Sequence, residues 1–255
     1  MQKITKYVLL DILRNRFMIA YTLLLLLISF SLFMLEDSTA KSLLGLMNVV
    51  LFIIPLVSLV FSTIYLYNAA EFVELMLSQP IRRRVLLTRM YGGLALSFFI
   101  AIFIGLGIPI LLYATSVQGL LLVLAGTALS LIFSALALLA SVITRDKARG
   151  IGVALLLWVY FAFVFDGLVL LLLFQFADYP LETPMIVLTM LNPVDLSRIF
   201  LLLQVDMAAM LGFTGAVFQK YFSGITGQLI SAAVLLMWIF IPLWLSIRRF
   251  NKRDL

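Results

Sequence analysis

The recurrence of long apolar runs constrains this chain more than any other feature of its sequence. Six runs of about 20 residues, nearly free of charged side chains, lie between Phe17 and Ile247. A helix of that length spans a hydrocarbon core of about 30 Å. Hydrophobic residues make up 64% of the 255 residues, and a soluble domain of this size could not bury them. The sequence therefore predicts an all-α membrane protein and excludes a soluble enzyme or a disulfide-rich secreted domain.

The basic residues predict how the helices are oriented. We place the spans at approximately 17–35, 43–67, 91–115, 120–143, 151–176 and 229–247, and 15 of the 18 Lys and Arg residues then fall on one side. The positive-inside rule makes that side, with both termini, cytoplasmic. Segment 207–222 is also fairly apolar, but a seventh span there would move the basic C-terminus outside. We therefore predict that this segment is interfacial or re-entrant.

The N-terminal residues show a helical pattern before the first span. Ile4, Tyr7, Val8 and Ile12 share one helical face, which predicts an amphipathic helix in the cytoplasmic interface. The alternative is that this segment serves only as a positive anchor for the first span.

The residue types that are missing narrow the function. Without Cys or His, the chain cannot use thiolate or imidazole catalysis or build a Cys/His zinc site. It also lacks a P-loop, so we predict a non-catalytic protein without a bound cofactor or metal site. The basic residues flank the spans, so the predicted surroundings are a lipid bilayer and not nucleic acid. Several Met residues predicted near the outer side could bind Cu(I), although Met is more often apolar filler.

The connection 68–90 carries the most informative pattern. Glu71, Glu74 and Ser78 share one helical face, and apolar residues including Phe72, Leu75 and Leu77 form another side. Pro80 ends this pattern, and a basic cluster follows. The pattern predicts an amphipathic helix that docks on a cytoplasmic partner. The alternative is a solvated loop whose arginines only set the topology.

Two further features lie towards the predicted outer side. Asp166 is the single charged residue placed within a span, where a carboxylate marks a functional site or is hydrated near the interface. In the predicted external region 177–228, Asp195 could cap a helix that carries Leu196, Ile199 and Phe200 on one face. This half-apolar region should cover the membrane surface, a partner or the chain's own spans.

Small residues recur at four-residue intervals in two neighbouring spans. The third span has Gly93, Ser97, Ala101 and Gly105, and the fourth has Gly126, Ser130 and Ser134. Small residues at this spacing allow helix backbones to approach closely. We expect the two stripes to face each other across the short loop, with a dimer interface as the alternative. Pro55, Pro109 and Pro242 should kink their spans.

Three stretches resemble a known family. The pattern Glu71-x-x-Glu74-Leu75-x-Leu77-Ser78-x-Pro80-Ile81-x-Arg83 resembles the coupling helix of ABC-2 type transporter permeases. The stretch 163–171 resembles the fifth span of the NosY-type branch, and 191–199 resembles its external Leu-Asn-Pro-x-Asp-x-x-Arg motif. The chain departs from the family in lacking the usual Gly pair and Thr beside the coupling acids.

The resemblance implies a single ABC-2 transmembrane domain over residues 1–255 of a multi-pass protein in a bacterial or archaeal inner membrane. Two copies would recruit two cytoplasmic ATPase subunits, which bind ATP and Mg. A periplasmic copper-related partner, serving nitrous oxide reductase maturation, would meet the external face. Asp166 would lie on the transmission route, and Asn192, Pro193, Asp195 and Arg198 would shape the external docking region. The residues implied in ATPase coupling are Glu71, Phe72, Glu74, Leu75, Leu77, Ser78, Pro80, Ile81, Arg83 and Arg84.

Two other functions fit the same sequence. An ABC-2 exporter of a lipid, peptide or drug would share the fold but use its spans as a transport path. A membrane scaffold subunit would have no ATP coupling, and its 71–80 helix would contact no ATPase.

Overall fold

Helices account for nearly all of the ordered secondary structure in a computed structural model of the chain. The structure describes residues 2–79, 81–144, 146–176, 182–204 and 225–252, and within these ranges no strand forms. Pro80 and segment 207–222 therefore lie outside the described residues. The helices are α1 (Gln2–Leu13), α2 (Arg16–Leu35), α3 (Thr39–Asn68), α4 (Ala70–Leu77), α5 (Arg83–Tyr113), α6 (Val117–Ile143), α7 (Lys147–Gln175), α8 (Glu182–Met190), α9 (Pro193–Gln204) and α10 (Ile225–Asn251).

The predicted spans are confirmed. Across the described part of the chain, six helices are long and apolar enough to cross a membrane: α2, α3, α5, α6, α7 and α10. Polar side chains mark where several of them begin. Asn15, Ser38, Ser116 and Asp146 each accept a hydrogen bond from a backbone N–H in the first turn of the following helix. These caps satisfy backbone donors that a helix leaves unpaired at its start.

Helix α6 forms the centre of the bundle. Two thirds of its most apolar window (67%) is buried, against 17% to 22% for the corresponding windows of α2, α7 and α10. Helices α3, α5, α9 and α10 all pack against α6. The peripheral helices therefore present most of their apolar side chains to lipid or to another protein.

The small-residue stripes do not face each other, contrary to our expectation. A side chain at Gly93 would overlap Val8 of α1, and a Cβ at Gly105 would lie 2.6 Å from Leu25 Cβ of α2. The stripe of α5 is therefore covered by α1 and α2. The α6 stripe faces α3 instead, where Gly126 meets Ile54. The sequence periodicity indicated close packing but could not identify the partner helix.

The N-terminal helix is more than an interfacial anchor. Val8 and Ile12 are fully buried, and α1 packs along the first half of α5. Tyr7, on the edge of the same helix, is 59% exposed. Helix α1 thus belongs to the packed bundle and also borders the connection between α3 and α5.

Three spans contain a π-helical turn, at Val49–Ile53, Phe103–Gly107 and Tyr160–Val164. In α3 and α5 the turn stands two residues before Pro55 and Pro109. Proline has no N–H to donate and its ring clashes with the preceding turn, so a widened turn accommodates it. The π turns therefore lie directly before two of the prolines that we expected to kink their spans.

Candidate functional site

Helix α4 lies at one end of the bundle, which we call the basic end because Arg84, Lys147, Arg248 and Lys252 lie there. It is the short helix that connects α3 and α5. Glu71 and Glu74 are exposed, and among the described residues neither forms a salt bridge. Val73, Met76 and Leu77 are half-buried against the core. Helix α4 is therefore amphipathic, as predicted, with both of its carboxylates accessible.

Phe72 and Leu75 occupy different environments on α4. The Phe72 ring stacks on Tyr7 of α1, with 5.4 Å between ring centroids. Leu75 is 65% exposed. Tyr65 of α3 donates a hydrogen bond to the Asp11 carboxylate at 3.0 Å, which adds a second link between α1 and the base of α4. Phe72 thus positions α4, whereas Leu75 is available to another protein.

The remaining predicted coupling residues flank α4. The Ser78 hydroxyl donates to the Leu75 carbonyl at 2.8 Å, at the end of the helix. Ile81 is half-buried against the core, and α5 begins at Arg83. Arg84 is exposed. A cavity of about 310 Å³ lies under α4 and reaches Glu74, Leu66 of α3 and Val142 of α6. A displacement of α4 therefore has space beneath it.

Two contacts that sequence reasoning missed join α3 to the α6–α7 connection at the basic end. The Tyr67 hydroxyl lies in hydrogen-bond contact with Thr144, and Lys147 Nζ donates to Asn68 Oδ1 at 2.7 Å. Both partners are more than 70 positions apart in sequence, so no local pattern reveals them. They bind the helix that leads into α4 to the start of α7.

The second site is built by helices α8 and α9, which form a hairpin bent by 111°. Its tip does not lie on the outer surface. The indole N–H of Trp238, the middle residue of α10, donates to the Met190 carbonyl at 3.0 Å. Asn192 Nδ2 donates to the carbonyl of Phe161, the middle residue of α7, at 2.9 Å. The hairpin therefore re-enters the bundle to about half its depth, packed against the chain's own spans.

Asn192 joins the hairpin to α7. Its side chain is completely buried, and its Oδ1 accepts from Val194 N–H at 3.0 Å. Asn192 thus caps α9, while Asp195, the residue expected to act as the cap, lies in the first turn of that helix. The carbonyl that Asn192 contacts belongs to the π turn of α7. Pro193 is buried as the first residue of α9.

Asp166, Asp195 and Arg198 meet in one cluster, although the sequence separates Asp166 from Arg198 by 32 positions. Arg198 Nη1 donates to Asp166 Oδ2 at 2.8 Å and lies 3.0 Å from Asp195 Oδ1, without hydrogen-bond alignment to the latter. Asn192 Nδ2 also donates to Asp195 Oδ2. The two carboxylates and one guanidinium line a crevice of about 290 Å³ with Met185 and Thr189. We call this cluster the charge latch.

A similar contact links α3 and α7. The indole N–H of Trp158 donates to the Phe52 carbonyl, in the π turn of α3, at 3.1 Å. Carbonyls in two π turns thus receive side-chain donors from neighbouring elements. Within the described ranges, no group of three or more Asp, Glu, His or Cys side chains could hold a metal ion.

The chain is similar in sequence to an ABC transporter permease. The probable ABC transporter permease protein NosY of Stutzerimonas stutzeri is 27% identical over an alignment of 270 residues, which covers 95% of each chain. No protein-family model matches the sequence. This relative and the six apolar helices confirm the resemblance to NosY-type ABC permeases.

Proposed function

Because the chain is homologous over its length to a NosY-type ABC transporter permease, we propose that it couples ATP hydrolysis on separate cytoplasmic subunits to an external partner. It is the non-catalytic, membrane-spanning subunit of such a transporter. In this proposal the basic end faces the cytoplasm, in accordance with the positive-inside rule. Two copies of the chain would assemble with two ATPase subunits, which carry the ATP and Mg.

The observation that carries the proposal is the geometry of α4. It is a short helix across the basic end, with Glu71, Glu74 and Leu75 exposed on it. Exposed carboxylates beside an apolar anchor suit a protein groove lined by basic residues. Its apolar side packs on the core, so a push on α4 reaches α3 and α5 directly. The arginines at the start of α5 add charges that an ATPase surface can recognise.

The packing suggests how the push would travel outwards. Helix α3 contacts α6 and α7 over much of its length, and Trp158 holds its π turn to α7. Helix α7 in turn holds the α8–α9 hairpin through Asn192 and the charge latch. We propose that α3 and α7 move together and change the position of the hairpin. Substitutions along this route of contacts should therefore change ATPase coupling and the position of the hairpin together.

The external end of this proposal is a docking surface for a partner. Asn192, Asp195 and Arg198 are engaged with α7, so we assign them to positioning the hairpin and not to direct partner contact. The exposed side chains of α8, such as Val187, are the accessible ones. Copper enters through the family resemblance alone, and a chain without Cys or His would leave copper handling to the external partner.

The test is to purify the tagged chain from native membranes and to compare two double variants. In Glu71→Ala/Glu74→Ala, membrane insertion should be normal but ATPase activity should no longer respond to the external partner. Glu36→Ala/Asp37→Ala removes two exposed acids from the opposite end and serves as the matched control. Absence of any co-purifying ATPase would favour the scaffold hypothesis, and normal coupling in the first variant would refute the role of α4.

A further inference from the structure

A groove of about 610 Å³ lies at the basic end, between the start of α5 and the end of α10. Arg84 and Thr88 of α5 line one side, and Trp244, Arg248 and Lys252 of α10 line the other. The two helices are distant in sequence, so only their packing brings these three cations to the same groove.

Among the described residues, no acidic side chain neutralises the positive charges in this groove. Its lining includes no acidic side chain from the described residues. Arg84, Arg248 and Lys252 form no salt bridge with any residue in the described ranges. The Arg248 guanidinium lies over the Trp244 ring, 5.3 Å from its centroid, which orients the cation and leaves its charge uncompensated. The groove is therefore suited to an anion.

An apolar stripe runs from the groove towards the middle of the bundle. Met237, Ile241, Trp244 and Arg248 follow one another at helical spacing on one face of α10. The first three are 56%, 49% and 57% exposed. Tryptophan is enriched where hydrocarbon meets the headgroup layer, so Trp244 marks this boundary. The ligand should accordingly have an anionic head at the level of Arg248 and an apolar tail beside Ile241.

We propose that this groove binds an anionic phospholipid, with its phosphate among Arg84, Arg248 and Lys252 and an acyl chain along α10. Arginine binds phosphate oxygens through two parallel N–H bonds, and lysine adds a compact charge. Basic pockets between transmembrane helices suit such headgroups. A free phosphate would satisfy the cations but would leave the apolar stripe without a role. Arg84 is shared with the proposed coupling region, so the test uses Arg248 and Trp244 of α10, which lie outside that region.

Quenching of Trp244 by brominated lipids tests the proposal. The full chain is placed in phosphatidylcholine vesicles that contain a minor fraction of brominated phosphatidylglycerol or, for comparison, brominated phosphatidylcholine. The anionic lipid should quench at a lower mole fraction, and Trp244→Phe should abolish this difference. Arg248→Gln should raise the half-quenching mole fraction about fivefold, since one cation near a membrane surface contributes about 1 kcal/mol.

The controls separate a specific site from general attraction to anionic membranes. Arg249→Gln removes the same charge from the adjacent position, which does not line the groove, and should have little effect. Arg248→Lys keeps the charge and should retain most of the quenching, which also checks that substitution leaves the fold intact. Equal effects of Arg248→Gln and Arg249→Gln would overturn the proposal. So would equal quenching by both lipids, or displacement of the brominated lipid by millimolar inorganic phosphate, which would indicate a free-anion site. Loss of a co-purifying ATPase in Arg248→Gln with unchanged quenching would assign the groove to a protein partner instead.

Discussion

Arg198→Gln tests whether the charge latch holds the α8–α9 hairpin. The substitution leaves the carboxyl groups of Asp166 and Asp195 facing each other without the cation that they share. Removing one partner of a buried ion pair costs about 3–5 kcal/mol. Asp166 and Arg198 are 32% and 25% exposed, and solvent screening should reduce the cost to about 2 kcal/mol. Because the latch joins the hairpin to α7, we expect local opening of the hairpin.

The natural absence of cysteine makes this opening measurable. Thr189 lies on α8, lines the crevice and is only 7% exposed. In Thr189→Cys the thiol should react slowly with a maleimide when the hairpin is closed. A change of about 2 kcal/mol in the opening equilibrium should accelerate labelling about thirtyfold in the Arg198→Gln background. The labelling rate reports the opening equilibrium when the hairpin opens and closes faster than the maleimide reacts.

Asp166→Asn is the matched control, with an opposite electrostatic consequence. It removes one of the two acidic groups and leaves Arg198 beside Asp195. We therefore expect a change in hairpin opening of less than about 1 kcal/mol. If Arg198→Gln labels as slowly as the parent, the latch does not hold the hairpin. If Asp166→Asn labels as fast as Arg198→Gln, the charge argument fails. Loss of transporter function in a closed Asp166→Asn variant would assign the carboxylate a role beyond stability.

Three further predictions concern packing and docking. Gly93→Ala should lower the free energy of unfolding in detergent by about 1–3 kcal/mol, because the added methyl group would overlap Val8. Gly152→Ala is the control, since no atom lies within 4 Å of its added methyl group, and it should leave stability unchanged. Equal effects of the two substitutions would contradict the α1–α5 packing. Trp158→Phe should lower the free energy of unfolding by about 1 kcal/mol in the same assay, because the hydrogen bond to the Phe52 carbonyl is lost. An unchanged unfolding midpoint would show that this hydrogen bond does not stabilise the protein. Leu75→Ala should weaken ATPase binding by roughly tenfold in a pull-down titration and leave the stability of the chain unchanged. Phe72→Ala should lower stability, because the stacking contact with the Tyr7 ring is lost. The reverse result would mean that Phe72 contacts the ATPase and Leu75 stabilises the fold.

The membrane-spanning layout was predictable because each span is a local property of the sequence. The run 120–143 is recognised as a membrane span by its length and hydropathy, and in the structure the corresponding helix α6 is Val117–Ile143. The amphipathic α4 was predictable for the same reason, since Glu71, Glu74 and Leu75 lie within two helical turns. The helices that pack against the small-residue stripes were not predictable, because Gly93 and Gly126 indicate only that some neighbouring helix approaches closely.

The sequence by itself determined that this is a helical membrane protein, where its spans lie, and which few polar residues interrupt them. Hydrophobicity and helical periodicity act over one or two turns, so a linear reading captures them. Only the tertiary structure decided that Asn192 is buried at the middle of α7, that Arg198 reaches Asp166, and that Arg84 faces Arg248 across a groove. Those contacts depend on the packing of helices far apart in the chain, where burial turns isolated polar residues into hydrogen-bond and ion-pair partners.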